Sequence, residues 1–181
     1  MRIAVSGSHA TGKTSLVAEL CTRLANVTAV DEAYYLLDEE GHVFETPPSD
    51  ADYEMLIERS FVLLAEEHAG SVVFDRSPAD YLAYLVAGGR RPIESEHVSA
   101  TAAALSTLDL IVFVPIEHPD RVAGAEALRL RRRVDRILRE MLVEGSWGFD
   151  VSIVTVEGTP EERADQVLAR LKLMATNAKV V

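Results

Sequence analysis

Residues 2–14, RIAVSGSHATGKT, constrain this chain more than any other stretch. A short apolar run ends on Gly7, and Gly7-Ser8-His9-Ala10-Thr11-Gly12-Lys13-Thr14 then follows the spacing G-x-x-x-x-G-K-[ST]. Glycine reaches backbone conformations closed to other residues, so successive N–H groups can turn inward around an anion at the first turn of a helix. The pattern predicts a strand, a phosphate-binding loop (P-loop) made by Gly7, Ser8, His9, Ala10, Thr11, Gly12, Lys13, Thr14 and Ser15, and a helix from Lys13. In such a loop Lys13 would reach the β- and γ-phosphates of ATP, and the Thr14 hydroxyl would ligate Mg²⁺.

The rest of the chain repeats the alternation that this motif begins. Short apolar runs rich in β-branched residues lie at Arg2 to Ser6, Asn26 to Val30, Ser71 to Asp75, Asp109 to Val114 and Val151 to Val156. Most are continuously apolar, as parallel strands covered on both faces by helices must be. Helical patterns fill the gaps: Lys13 to Ala25, Asp52 to His68, Pro78 to Ala87, Glu94 to Ser106, Ala125 to Glu144 and Pro160 to Ala175. The last opens on Thr159-Pro160-Glu161-Glu162, which offers an N-cap, an N1 proline and a capping-box glutamate. Strands alternating with helices predict an open α/β sheet, whose ligands collect at the carboxyl ends of the strands.

Composition narrows the partners. At 181 residues with 48% hydrophobic and 26% charged side chains the chain reads as one globular domain, 1–181. Its net charge of -11 repels polyanions, and no basic tract stands apart from acidic neighbours. Nucleic acid and anionic membrane are therefore not expected as main partners. Cys21 is the single cysteine, and neither a secretory signal nor an apolar span of about 18 residues is evident. The expectation is a soluble, cytoplasmic protein with a small-molecule partner. Apolar helix faces such as these pack internally or across a homodimer, and the sequence leaves both open.

Other residues sort the chemistry. A guanine-reading Asn-Lys-x-Asp is absent, and Asp75 is not followed by the x-x-Gly of a GTPase switch. A remodelling ATPase would show Asp-Glu where this chain has Asp75-Arg76. Ser77-Pro78-Ala79-Asp80 is an N-cap, an N1 proline and an acidic N3, so a helix begins directly after Arg76. Asp75 would then stand at a strand end beside the P-loop, able to hold Mg²⁺. Arg76 would offer a planar, permanently charged fork to an anionic acceptor or to the transferring phosphoryl group.

GSHATGKTSL, VVFDRSPADYLAYL and LDLIVFVP followed by an arginine-rich helix resemble the P-loop nucleoside and nucleotide kinases, among them the deoxynucleoside and thymidylate kinases. The likeness is strongest to the AAA-type domain of ribosylnicotinamide kinase-like proteins. It implies a P-loop NTPase three-layer sandwich, with helices on both faces of a five-stranded parallel sheet, and a mobile helical lid over about 115–145. It also implies ATP-dependent phosphoryl transfer to a small acceptor, a nucleoside or nucleotide. In nucleoside kinases a carboxylate near the end of the second strand takes the acceptor's proton, a role that falls here on Glu32, or on Asp31 beside it. Tyr34 and Tyr35 follow, where related proteins often carry an arginine.

Within AEALRLRRRVDRILREML, Leu130, Val134, Ile137, Leu138, Met141 and Leu142 form an apolar stripe. Arg131, Arg136 and Arg139 have Asp135 and Glu140 as i,i+4 neighbours and read as a solvated face. Arg121, Arg129 and Arg132 lack such partners and are expected to contact phosphate from the lid. The segment Glu117 to Gly124 would be its moving part, with Gly124 as hinge. A different class of reading is a nucleotide-binding regulatory module with weak or no ATPase activity, which would need the loop but no acceptor pocket.

Overall fold

The computed structural model describes residues 1–89, 95–120 and 125–177. Strands β1 (Arg2–Ser6), β2 (Val27–Val30), β3 (Ser71–Asp75), β4 (Leu110–Phe113) and β5 (Ile153–Thr155) form one parallel sheet in the order β2-β3-β1-β4-β5. The P-loop strand is central. Val5 lies opposite Asp75 on one side, and Ser6 lies opposite Phe113 on the other.

Between the strands run helices α1 (Lys13–Arg23), α2 (Ala33–Glu39), α3 (Asp50–Ala65), α4 (Pro78–Gly88), α5 (Ser95–Leu105), α6 (Ala125–Leu138) and α7 (Pro160–Asn177). Alternate residues of each central strand serve opposite faces. Ile3, Val5, Val73, Leu110 and Val112 pack with Leu16 and Leu20 of α1 and Val167 of α7. Ala4, Val72, Phe74, Ile111 and Phe113 pack with Leu56 of α3, Leu82 of α4 and Val134 and Leu138 of α6. Each leucine or isoleucine withdrawn from water in these layers contributes about 1.5–3 kcal/mol, which explains why the strand sequences are continuously apolar. No helix among the described residues is long and apolar enough to cross a membrane.

Helix starts follow local chemistry. Thr159 and Glu162 cap α7 reciprocally, the Thr159 N–H donating to Oε2 of Glu162 (2.8 Å) and the Glu162 N–H to Oγ1 of Thr159 (3.3 Å). Helix α3 begins at Asp50 rather than Asp52, because Ser49 caps it and the Ser49 N–H donates to Asp52 (2.9 Å). Asp52 also accepts from the Glu45 N–H (3.2 Å) and pairs with His42 (3.0 Å), which folds the 42–49 segment onto α3. Burial would raise the Asp52 carboxyl, but His42 and the Ser49 and Glu45 donors bring it down to about 2. Helix α2 has no counterpart in the sequence expectation. The expected helix Ala125 to Glu144 is α6 followed by a π-turn over Arg139–Val143, closed by the Glu144 N–H on the Arg139 carbonyl (3.0 Å).

Candidate functional site

The P-loop is shaped from outside as well as by its glycines. A Cβ on Gly7 would collide with the Val114 carbonyl of the chain leaving β4. At Gly12 φ is +87°, and a Cβ there would lie 2.9 Å from the Arg163 guanidinium. Asp80, fully buried at the third position of α4, accepts the Gly7 N–H at 2.7 Å and the Ser77 N–H at 3.0 Å. Its carboxylate thus ties the first loop amide to the start of α4, a role that its capping position alone did not reveal.

Inside the loop, Lys13 is 5% exposed and its Nζ donates to the Ser8 carbonyl (2.7 Å). Burial, and then the Arg76 charge, lower its pKa to about 7, against the pull of Asp80, Glu32 and Asp75. The Thr14 hydroxyl donates to Oδ2 of Asp75 (2.7 Å), while the buried Oδ1 of Asp75 has no hydrogen-bond partner among the described residues. A threonine hydroxyl and a carboxylate with an unsatisfied oxygen, adjacent at a phosphate loop, form a hard-oxygen set of the kind Mg²⁺ takes. The two residues expected to hold the ion are thus in contact.

Arg76 leaves β3 in the left-handed region, at φ +84°, a conformation that costs a non-glycine residue about 1 kcal/mol or more. Its guanidinium is almost buried and reaches three groups: Nε donates to Glu32 (2.5 Å), and Nη1 donates to the Gly7 carbonyl (3.0 Å) and lies 3.4 Å from Asp80. Burial works against the charge, but Glu32 and Asp80 outweigh it and raise the pKa further. The Arg76 guanidinium also lies 5.9 Å and 5.8 Å from the Tyr81 and Tyr84 ring centroids.

Beside this pair opens a cavity of about 260 Å³, lined by Glu32, Arg76, His9, Tyr34, Tyr53 and Tyr84 among others. Tyr53 stacks on Tyr84 (centroids 5.3 Å apart, planes 10° apart) and Tyr34 on Phe44 (4.2 Å, 18°). Of the two acids at the end of β2, Glu32 lines this cavity, whereas Asp31 is exposed and lies against the small void behind Asp75. Tyr34 belongs to the cavity wall and Tyr35 points into solvent, 57% exposed.

The arginines require corrections. Arg131, expected on a solvated face, is 2% exposed; its Nη1 pairs with both oxygens of Asp120 (2.6 and 2.7 Å) and its Nε donates to the His9 carbonyl (2.7 Å). Asp120, which no helical periodicity relates to Arg131, supplies the partner that draws it inward. Arg163 of α7 was not singled out at all, yet Nη1 donates to the Thr11 carbonyl (2.8 Å) and Nη2 to Glu117 (2.7 Å). Two buried arginines therefore hold carbonyls of the P-loop. Arg136 pairs with Glu140 (3.0 Å) on an exposed face, as expected. Arg129 and Arg132 are exposed; Arg132 borders a second cleft of about 620 Å³, shared with His118, Asp135 and Arg139. Arg121 and the proposed hinge Gly124 lie outside the described residues.

The same architecture recurs in solved structures, two of them kinases. Thymidylate kinase from Ehrlichia chaffeensis superposes with a TM-score of 0.65 over 95% of this chain and 98% of its own, at 14% identity. Shikimate kinase from Aquifex aeolicus gives 0.61 over 97% and 99%, at 18% identity. NadR in complex with NR gives 0.61 at 20% identity; there the match takes in 92% of this chain but 48% of NadR. At these identities the likeness is one of fold. No curated protein sequence matches the chain. A family model described as an AAA domain matches residues 2–163, which include the P-loop, Asp75, Arg76 and the Arg163 that grips the loop. The chain belongs to this AAA domain family, with the fold of the kinase-like P-loop NTPases.

Proposed function

We propose that this protein is a Mg-ATP-dependent kinase that phosphorylates a hydroxyl of a small, nucleoside-like acceptor. One observation carries the reading: Arg76 touches the P-loop and the acidic side of the tyrosine-walled cavity at once, through the Gly7 carbonyl and Glu32. A donor site and an acceptor site therefore share one cation. Bound Mg-ATP would supply the γ-phosphoryl group, with Thr14 and Asp75 as ligands of the ion. The loop amides and Lys13 would hold the phosphates, and Arg76 would offset charge on the transferred group. Glu32 would take the acceptor's hydroxyl proton as that oxygen bonds to phosphorus and ADP leaves. One carboxylate oxygen of Glu32 is engaged by Arg76, and among the described residues none bonds to the other, which would take the proton.

The short Glu32–Arg76 pair also favours a second reading, in which the carboxylate is a structural partner and the protein is a nucleotide-binding regulatory module. ADP release from Mg-ATP, measured against a panel of nucleosides, nucleotides and pyridine ribosides with Lys13→Ala as the blank, separates the two. Acceptor-dependent turnover that Lys13→Ala abolishes is the expected result. Tight ATP binding with no turnover on any acceptor would transfer the assignment to the regulatory module.

A further inference from the structure

The third residue of the P-loop, His9, does more than lend its backbone. The Tyr84 hydroxyl oxygen accepts the His9 backbone N–H (2.8 Å) and lies 3.0 Å from Nδ1 of the same histidine. A phenol has one hydrogen to give, and among the described residues no other group bonds to this hydroxyl. If Nδ1 carried the ring proton, the Tyr84 oxygen would accept twice while its own hydrogen went unpaired in a largely buried position, a cost of about 1–3 kcal/mol. The arrangement that satisfies every group has Tyr84 donating to a bare Nδ1, so the ring proton sits on Nε2. The imidazole is also kept neutral: burial, then Arg131, Arg76 and Lys13, lower its pKa to about 4, so Nδ1 keeps its lone pair at physiological pH. Tyr84 is itself fixed by stacking on Tyr53 and by the guanidinium of Arg76. All four residues line the same cavity as Glu32.

We propose that His9 is a specificity residue of this cavity: Tyr84 fixes its imidazole as the Nε2–H tautomer, and that N–H donates to a carbonyl oxygen or ring nitrogen of the acceptor. The inference rests on the kinase reading for the identity of the site, but not for the tautomer. Glu32 would meet the acceptor at its hydroxyl and accept a proton, whereas His9 would meet it at a heteroatom and donate one. A ring without an acceptor atom at that position leaves a buried N–H unpaired and is rejected.

The test is ¹⁵N NMR of the full chain labelled at histidine, at pH 7.5, with His9→Gln used to assign the His9 signals. A protonated Nε2 and a bare Nδ1 are expected in the wild type. Tyr84→Phe, with the folded state confirmed by circular dichroism, is expected to give a mixture of tautomers. A protonated Nδ1, an imidazolium, or a spectrum unmoved by Tyr84→Phe would overturn the tautomer. Adenosine, guanosine, cytidine and uridine are then titrated in the presence of Mg-ADP. At least one should shift Nε2, and its affinity should fall about tenfold or more in His9→Ala and recover in His9→Gln, whose amide N–H₂ replaces the donor. If none shifts Nε2 while Mg-ADP still binds, the donor role is lost and the P-loop assignment stands. If Mg-ADP itself fails to bind, the kinase reading fails, and the wild-type tautomer still stands or falls by its own spectrum.

Discussion

In the proposed kinase the donor side, which is the P-loop, and the acceptor side, which is the tyrosine-walled cavity, are built in opposite ways. The donor side is one contiguous segment, Gly7 to Ser15, whose working atoms are largely backbone and whose carbonyls are held by Arg131 and Arg163. The acceptor side gathers single side chains from the P-loop, α2, the 42–49 segment, α3, α4 and α6, and its working atoms are rings, one carboxylate and one guanidinium. A backbone cradle binds what many nucleotides share, and a wall of separate side chains can be altered one residue at a time. Constancy on one side and adjustability on the other follow from the construction.

Lys13→Ala should have the largest effect, removing the buried ammonium from the donor side. kcat/KM for Mg-ATP is expected to fall by about 10³, with the folded state retained in circular dichroism. Asp80→Ala comes next, because this carboxylate holds the Gly7 N–H, lies 3.4 Å from Arg76 and favours the charged form of Lys13, so its loss disturbs both the shape and the charge of the loop. Urea unfolding should report a loss of about 3 kcal/mol, together with weaker Mg-ATP binding; full stability would mean that the strap is dispensable.

The pH dependence of Mg-ATP binding probes the donor side alone. Free Lys13 gives up its proton near pH 7, well below the ordinary lysine value, and a bound phosphate restores the charge. Binding therefore takes up a proton above pH 7, and affinity should fall by up to about tenfold per unit between pH 7 and 9. Below pH 7 Lys13 is already charged and this dependence should flatten; calorimetry in two buffers of different ionisation enthalpy checks the proton. The smallest effect belongs to the acceptor side. Tyr53→Leu removes a stacked pair worth about 0.5–1.5 kcal/mol, so KM for the acceptor should rise several-fold while KM for ATP holds. An equal change in both would break the division between the two sides.

The same contrast governs what could be read from sequence. The loop was legible because glycine spacing, strand and helix lie side by side, and the β3 end was legible because Asp75, Arg76 and the α4 cap are consecutive. Strand positions followed from continuous apolarity, with ends displaced by a residue or two where pairing stops. Arg131 was misread because local periodicity offered Asp135, whereas the fold supplies Asp120 and two P-loop carbonyls. Arg163 stands in an ordinary amphipathic helix, and only the close approach of α7 to Gly12 reveals its use. Helix α2 is seven residues long with a mixed Tyr-Tyr-Leu-Leu face, too short for a helical period to assert itself. The cavity could not be outlined in advance, since its walls share no spacing.

The central place of β1 has a consequence for how the protein is made. β1 leaves the ribosome before its neighbours β3 and β4, so the strand has both edges paired only after Phe113 has emerged. Until then the nucleotide loop has no floor, and a stalled or truncated chain carries the whole motif without its scaffold. Arg131 and Arg163 arrive later still, on α6 and α7. Among the described elements the P-loop is thus synthesised before the parts that complete it, and nascent chains should gain the loop's final shape only when α7 has cleared the exit tunnel.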